Sequence, residues 1–243
     1  MAQVRRTPQH QDNRLLAALA PEDFAFLEPH LAIIDLQRGD ILYEVGDTIV
    51  YTYFPHDAMV SLVTVMHDGK SVEMGSFGCE GLFGLVSAFV TRQSFGRYIV
   101  QLSGTASRVE LNTMHEAMAA RPDIQHLVMR FTEALMAETL QAVACNAVHS
   151  VEARCCRWIL MSQDRAGQPD LPLTQEFLAE MLGVQRSTVS DVARAIQDKG
   201  LIRLGRGVIT VTDRPGLEAA SCECYAIIRQ KFEQLLPNTY ERG

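Results

Sequence analysis

The sequence predicts an α+β chain: an N-terminal β jelly-roll, a long helix through which two copies would join, and a C-terminal winged helix-turn-helix. Three features point there. Gly and Asp punctuate short apolar runs between residues 33 and 110; apolar side chains then recur at helical spacing from Arg121-Pro122 to about Asn146; and a helix, turn, helix, hairpin pattern fills residues 173–212. Boundaries follow at 1–121 for the roll, 122–147 for the helix and 148–243 for the remainder. A chain of 243 residues suits two domains, and a hydrophobic fraction of 47% suits packed cores rather than disorder.

Residues 13–30 mix Leu15, Leu16, Leu19, Phe24, Phe26 and Leu27 with acids and Pro21, which reads as short helical pieces. Strand candidates in the roll are 41–43, 49–54, 59–65 and 98–102, with His67-Asp68-Gly69-Lys70 as a hairpin tip. Proline in its first turn starts the long helix. At about 25 residues it exceeds the usual 8–20 of a globular helix and must bury its stripe of Leu127, Phe131, Leu135, Leu140 and Val143 on the roll or on a second copy. The continuous stripe and the sparse polar face (Glu133, Glu138, Gln141) favour a parallel homodimer seam. A further helix runs from Ser150, its N-cap, to about Asp164, followed by a linker over 166–170. Asp213, two residues ahead of Pro215, caps a last helix that reaches about Leu236.

The informative segment is 173–212. Phe177, Leu178, Met181 and Leu182 form one face of a first helix, and Gly183 stands where the turn requires a positive φ. Val189, Val192, Ala193 and Ile196 follow at helical spacing and face the core. The opposite face carries Gln185, Arg186, Ser187, Ser190, Asp191 and Arg194, short, polar and partly basic as a major-groove recognition helix requires. Gln185, Arg186, Ser187, Ser190 and Asp191 are the candidate base readers; an arginine grips guanine O6 and N7, and an aspartate accepts from cytosine N4. Thr174, Thr188 and Arg194 suit phosphate, as do Arg203 and Arg206 of an alternating segment around Gly205-Arg206-Gly207 that reads as a wing. The partner implied is double-stranded DNA. The net charge of -7 does not oppose this, because the local field at the docking surface governs affinity.

This region resembles the DNA-binding domain of the Crp/Fnr superfamily of bacterial regulators. Upstream, Gln37-Arg38-Gly39-Asp40-Ile41-Leu42-Tyr43-Glu44-Val45-Gly46-Asp47 resembles that family's cyclic-nucleotide-type sensor roll. The resemblance covers almost the whole chain and implies a homodimer, half-sites about one DNA turn apart (~34 Å) in an imperfect palindrome, and a sensor that sets how the recognition helices are held. RNA polymerase becomes a partner only if the protein activates. Where nucleotide-binding members carry Gly-Glu-Leu-Gly and then Arg-Ser, this chain has Gly81-Leu82-Phe83-Gly84, with Arg92 followed by Gln93 and Arg97 beyond. Those six residues, Gly81, Leu82, Phe83, Gly84, Arg92 and Arg97, are the candidate effector pocket. Losing a buried acceptor for a sugar hydroxyl costs about 1–3 kcal/mol, so cyclic AMP is not the expected effector. The roll then takes another ligand or serves as a scaffold. In the recognition helix Ser187 and Asp191 also depart from the family's common residues, which implies a different half-site.

Other chemistries find less support. The chain has no phosphate-binding loop, nucleophile elbow or zinc-protease motif, so no enzyme is expected. None of the six cysteines (Cys79, Cys145, Cys155, Cys156, Cys222, Cys224) sits in a CxxC, and none precedes Cys79 where cluster-binding relatives place theirs. Structural thiols are expected, with a thiol-redox role for Cys155, Cys156, Cys222 or Cys224 and a cyclic-nucleotide response as alternatives within the same fold, and with no metal or other cofactor. Haem ligation by His56, His67 or His126 has no supporting motif. The charged start, Met1-Ala2-Gln3-Val4-Arg5-Arg6, leads into no apolar stretch, and no run approaches the ~18 residues of a span; a cytoplasmic protein without membrane contact is expected.

Overall fold

The computed structural model describes residues 7–67, 71–166 and 170–237. Two short helices, α1 (Arg14–Ala17) and α2 (Pro21–Leu27), lead into seven strands: β1 (Ala32–Leu36), β2 (Ile41–Tyr43), β3 (Tyr51–Pro55), β4 (Met59–Val65), β5 (Ser71–Phe77), β6 (Arg97–Leu102) and β7 (Gly104–Glu110). They pair antiparallel in two sheets, ordered β1-β7-β3 and β2-β6-β4-β5. Carboxylates close the turns between early strands: Gln37 N–H donates to Asp40 Oδ2 (3.0 Å) and Glu44 N–H to Asp47 Oδ2 (2.7 Å). The expected tip at residues 67–70 lies largely outside the described residues, which stop at His67 and resume at Ser71. Strands β1, β5 and β7 fall outside the four apolar runs of the sequence. Glu73, Gly75 and Ser76 dilute β5, and β7 carries Thr105, Ser107 and Arg108, so pairing rather than local apolarity holds them as strands.

Helix α3 (Leu111–Ala120) ends at extended Arg121, and Pro122 opens the 27-residue α4 (Pro122–Val148), about 40 Å long at 1.5 Å per residue. After it come α5 (Val151–Ala166), β8 (Asp170–Leu171), α6 (Gln175–Leu182), α7 (Arg186–Asp198), β9 (Ile202–Leu204), β10 (Ile209–Val211), α8 (Arg214–Ala220) and α9 (Cys224–Leu235). Ala153 N–H donates to Ser150 Oγ (3.2 Å) and Gly216 N–H to Asp213 Oδ1 (3.0 Å), so both expected caps form. The last helix is not continuous to Leu236. Ser221 Oγ–H donates back to the Glu218 carbonyl (2.8 Å), the chain turns extended at Ser221, and α9 starts afresh and packs along α4.

Helix α5 is the hub. Arg165, 3% exposed, donates to Glu80 Oε1 of the roll (2.7 Å), to Ser76 Oγ (2.9 Å) and to both oxygens of Glu138 on α4 (2.9 and 3.0 Å). One guanidinium therefore ties three elements together. Trp158 of α5 donates Nε1–H to Glu73 of β5 (3.0 Å) and meets Phe177 of α6 edge-on at 5.5 Å. Arg38 adds a bond to the Pro172 carbonyl (2.9 Å). These contacts seat the C-terminal elements on the β5 side of the roll.

Candidate nucleic-acid interface

Thr174 caps α6, accepting the Phe177 N–H at 3.2 Å. Gly183 then adopts φ +66°, ψ +34°, a left-handed conformation that costs a residue with a Cβ, and α7 begins three residues later, at Arg186. Val189, Ala193 and Ile196 are fully buried and Val192 half-buried, so the core face of α7 is fixed as its spacing requires. The other face is open. Gln185, Arg186, Ser187, Asp191 and Arg194 are exposed, with Asp191 3.8 Å from Arg194, and Thr188 is half-buried beside them. Ser190 departs from expectation. It is half-buried, and its Oγ lies 2.8 Å from Gln175 Oε1 and 3.0 Å from the Arg186 carbonyl. Its single proton is committed within the protein, which makes Ser190 a brace between α6 and α7 rather than a base reader.

The wing forms as β9 and β10, with Gly205 N–H donating to the Val208 carbonyl (2.8 Å) across the tip, and β8 adds a third strand on the far side of β10. Arg203 and Arg206 are exposed. Gln197 Oε1 accepts the Leu204 N–H (2.7 Å), holding the wing against α7. The wing tip lies beside half-buried Thr174, a Cβ on Gly207 standing 4.0 Å from Thr174 Cγ2, and Arg186, Arg194, Arg203 and Arg206 are exposed, the kind of donors and positive charge that a phosphate backbone requires.

The candidate effector pocket does not assemble. Leu82 and Phe83 are fully buried, and Phe83 stacks on Tyr53 (4.7 Å, 5°) and against Tyr98 (5.4 Å). Tyr43 and Phe77 extend this aromatic cluster between the sheets. Gly84 has φ +90°, and a Cβ there would meet the Tyr51 carbonyl oxygen at 2.4 Å, so the loop is pressed onto β3. Arg92 bonds Asn112 (2.7 Å) at the surface, and Arg97 bonds both oxygens of Glu44. Apolar rings hold the space between the sheets, and neither arginine is directed into it.

The seam expectation is half corrected. Leu127 and Phe131 are buried in the chain's own core and Leu135 is half-buried, because the first half of α4 lies on the roll. Leu140 (63% exposed) and Val143 (65%) are open, joined by Met129 and Met136, each 58% exposed. Met129, Met136 and Val143 are seven residues apart, with Leu140 between the last two, the spacing of a coiled-coil seam. Beside it runs an open groove of about 920 Å³ lined by Phe89, His126, Met129, Glu133 and Met136. The methionines were legible in that spacing, but the more hydrophobic leucines of the buried face dominate the pattern.

Cys155 and Cys156 are buried, with their thiols pushed by burial up to about 12 and about 11, which disfavours the thiolate that redox chemistry uses. His56 is buried with its nitrogens against Thr105 Oγ1 (3.0 Å) and Ser107 Oγ (2.8 Å), while His67 and His126 are exposed. Cys145, His149, Cys222 and Cys224, which no sequence motif groups, come together at the end of α4.

Residues 153–220 match the family described as the Crp-like helix-turn-helix domain. The C-terminal region thus carries a Crp-like helix-turn-helix domain, and the chain as a whole is similar to regulators of the Crp type. It is 22% identical over 191 residues to the global nitrogen regulator of Synechococcus elongatus, covering 74% of this chain and 86% of that one. It is 22% identical over 208 residues to the CRP-like cAMP-activated global transcriptional regulator of Mycobacterium tuberculosis, covering 82% and 92%. Its fold is that of FixK2 from Bradyrhizobium japonicum (TM-score 0.68, 14% identity, 79% of this chain and 98% of that one) and of the c-di-GMP responsive regulator CLP of Xanthomonas campestris (0.64, 14%, 79% and 99%). With this domain and these relatives the chain is a DNA-binding transcription regulator, and among its described residues no helix is long and apolar enough to cross a membrane.

Proposed function

We propose that this chain binds an imperfect palindrome as a homodimer, joined along Met129, Met136, Leu140 and Val143 of α4. Gln185, Arg186, Ser187 and Asp191 read base edges, while Thr174, Thr188, Arg194, Arg203 and Arg206 hold phosphate. The observation that carries the reading is the open polar end of α7 beside an arginine-bearing wing, on a helix whose other face packs into the core through Val189, Ala193 and Ile196. Titrating duplex DNA against the purified chain over a range of salt tests it. Affinity should fall steeply and linearly in log–log form, by about 0.9 per phosphate neutralised. Absence of binding at low salt overturns it.

The same reading assigns the roll no role as a cyclic AMP receptor. One relative is named for cAMP and a fold neighbour for c-di-GMP, so the effector differs within this architecture. Here Phe83, Tyr53 and Tyr98 occupy the space between the sheets. Cyclic AMP should leave both the melting temperature and the DNA affinity unchanged; a tenfold gain in affinity would contradict the assignment.

A further inference from the structure

Four ligand atoms converge where α4 ends and α8 turns into α9. Cys145 and His149 are one helical turn apart and share a face, and His149 is the C-cap of α4. Cys222 and Cys224 enter from the corner that breaks the last helix. Cys145 Sγ lies 3.5 Å from Cys222 Sγ, Cys224 Sγ lies 3.6 Å from His149 Nδ1, and all four ligand atoms lie within 4.8 Å of one another. The three thiols are buried, apart from the main core, with Ala153 packed against them.

We propose that Cys145, His149, Cys222 and Cys224 bind one zinc-class divalent cation per chain, which pins α9 to the end of α4 beside the joint into α5. The spacing fits: with metal–sulfur bonds of ~2.3 Å, sulfurs at the corners of a tetrahedron stand about 3.8 Å apart. A disulfide needs sulfurs about 2.05 Å apart, and pairing Cys145 with Cys222 would leave Cys224 and His149 without a purpose. The separations leave room for a single ion. Three sulfurs and an imidazole select a borderline-soft cation over calcium or magnesium, and four protein ligands close the shell, as in structural rather than catalytic sites.

The surroundings complete the set. His149 presents Nδ1 to the cluster while Nε2 lies 3.1 Å from Glu223 Oε2, the carboxylate–histidine arrangement that fixes the tautomer of a ligating imidazole. Gln141 Nε2–H donates to Cys224 Sγ (3.1 Å). Burial raises the Cys145 thiol, but the nearby Arg157 charge and bonds with His149, Cys222 and Cys224 outweigh it and leave it below the ordinary value. Burial pushes Cys222 up to about 12, with Cys145 adding to it. Binding a cation displaces the thiol protons to solvent.

Elemental analysis of the full-length protein, purified under reducing conditions, should find one zinc per chain. Cobalt exchanged for it should show the ligand-field bands of a tetrahedral site and a thiolate-to-cobalt charge-transfer band. Cys145→Ser and Cys222→Ser should lose both, Cys155→Ser should keep both, and His149→Cys should keep the ion while strengthening the charge-transfer band. Chelation of the wild type should lower its melting temperature, a readout that does not depend on the variants folding. The proposal is overturned if the wild type gives no tetrahedral cobalt spectrum, if Cys145→Ser retains full metal content, or if Cys145 and Cys222 are recovered as a disulfide with no metal bound.

Discussion

Arg186 stands exposed in the first turn of α7, where a helix entering a major groove first meets base edges. Replacing it with alanine should cost about 1–3 kcal/mol on the preferred site and flatten the preference at one base-pair position, measured by anisotropy against a panel of single-base variants. Arg206→Ala should instead weaken all sequences alike and shallow the salt slope. Outward residues such as Arg186 were legible because a neighbouring buried set at helical spacing fixes the phase of the helix. Ser190 was not, since its inward turn depends on Gln175, fifteen residues earlier on another helix. A second residue-scale effect concerns Glu73, half-buried under α5, whose carboxyl is raised by burial while Ser61 and Trp158 bond it. A carboxyl raised in the folded state contributes stability that is full below its ordinary value and is lost as pH rises through its folded value. Glu73→Gln, whose amide can still serve Trp158 and Ser61, should therefore abolish this loss, so that the variant gains on the wild type as pH climbs above the ordinary carboxylate value in urea titrations.

At the scale of elements, α4 divides its labour along its length. Its first half lies on the roll through Leu127 and Phe131, and its exposed stripe runs from Met129 to Val143. Leu140→Asp should yield a folded monomer by sedimentation, because the side chain is already open in the single chain. Phe131→Asp should lose the fold itself, by several kcal/mol, since it buries an unpaired charge. A sequence stripe reports apolarity and not the identity of the surface that covers it, which is why the buried and exposed faces merged into one. The winged helix, in contrast, was legible almost residue by residue. Its turn glycine, its buried face at helical spacing and its alternating hairpin all act within a few residues of one another, whereas the cap that Thr174 forms shows only in the structure. The sensor roll was legible as a fold but not as a site, because what Phe83 does depends on Tyr53 and Tyr98, which are distant in sequence.

Across the whole molecule, Arg165 joins the roll, α4 and α5 through Glu80, Ser76 and Glu138. Arg165→Met should cost about 3–5 kcal/mol at pH 7, because it leaves buried carboxylates without their partner. Urea unfolding of the variant beside the wild type measures that loss. No local pattern marks Arg165 in the sequence; only the docking of α5 onto the roll assembles its partners. The same docking seats α6 on β5 and α7 on α5, and with them the proposed recognition face and wing. The most direct test of that account is selection from random duplex DNA by the purified, metal-replete protein, run in parallel with Arg186→Ala. The account predicts an enriched palindrome with half-sites about 34 Å apart, one turn of the duplex, and a base preference within each half-site that the variant relaxes. No enrichment, a motif without two-fold symmetry, or an identical motif from Arg186→Ala would contradict it.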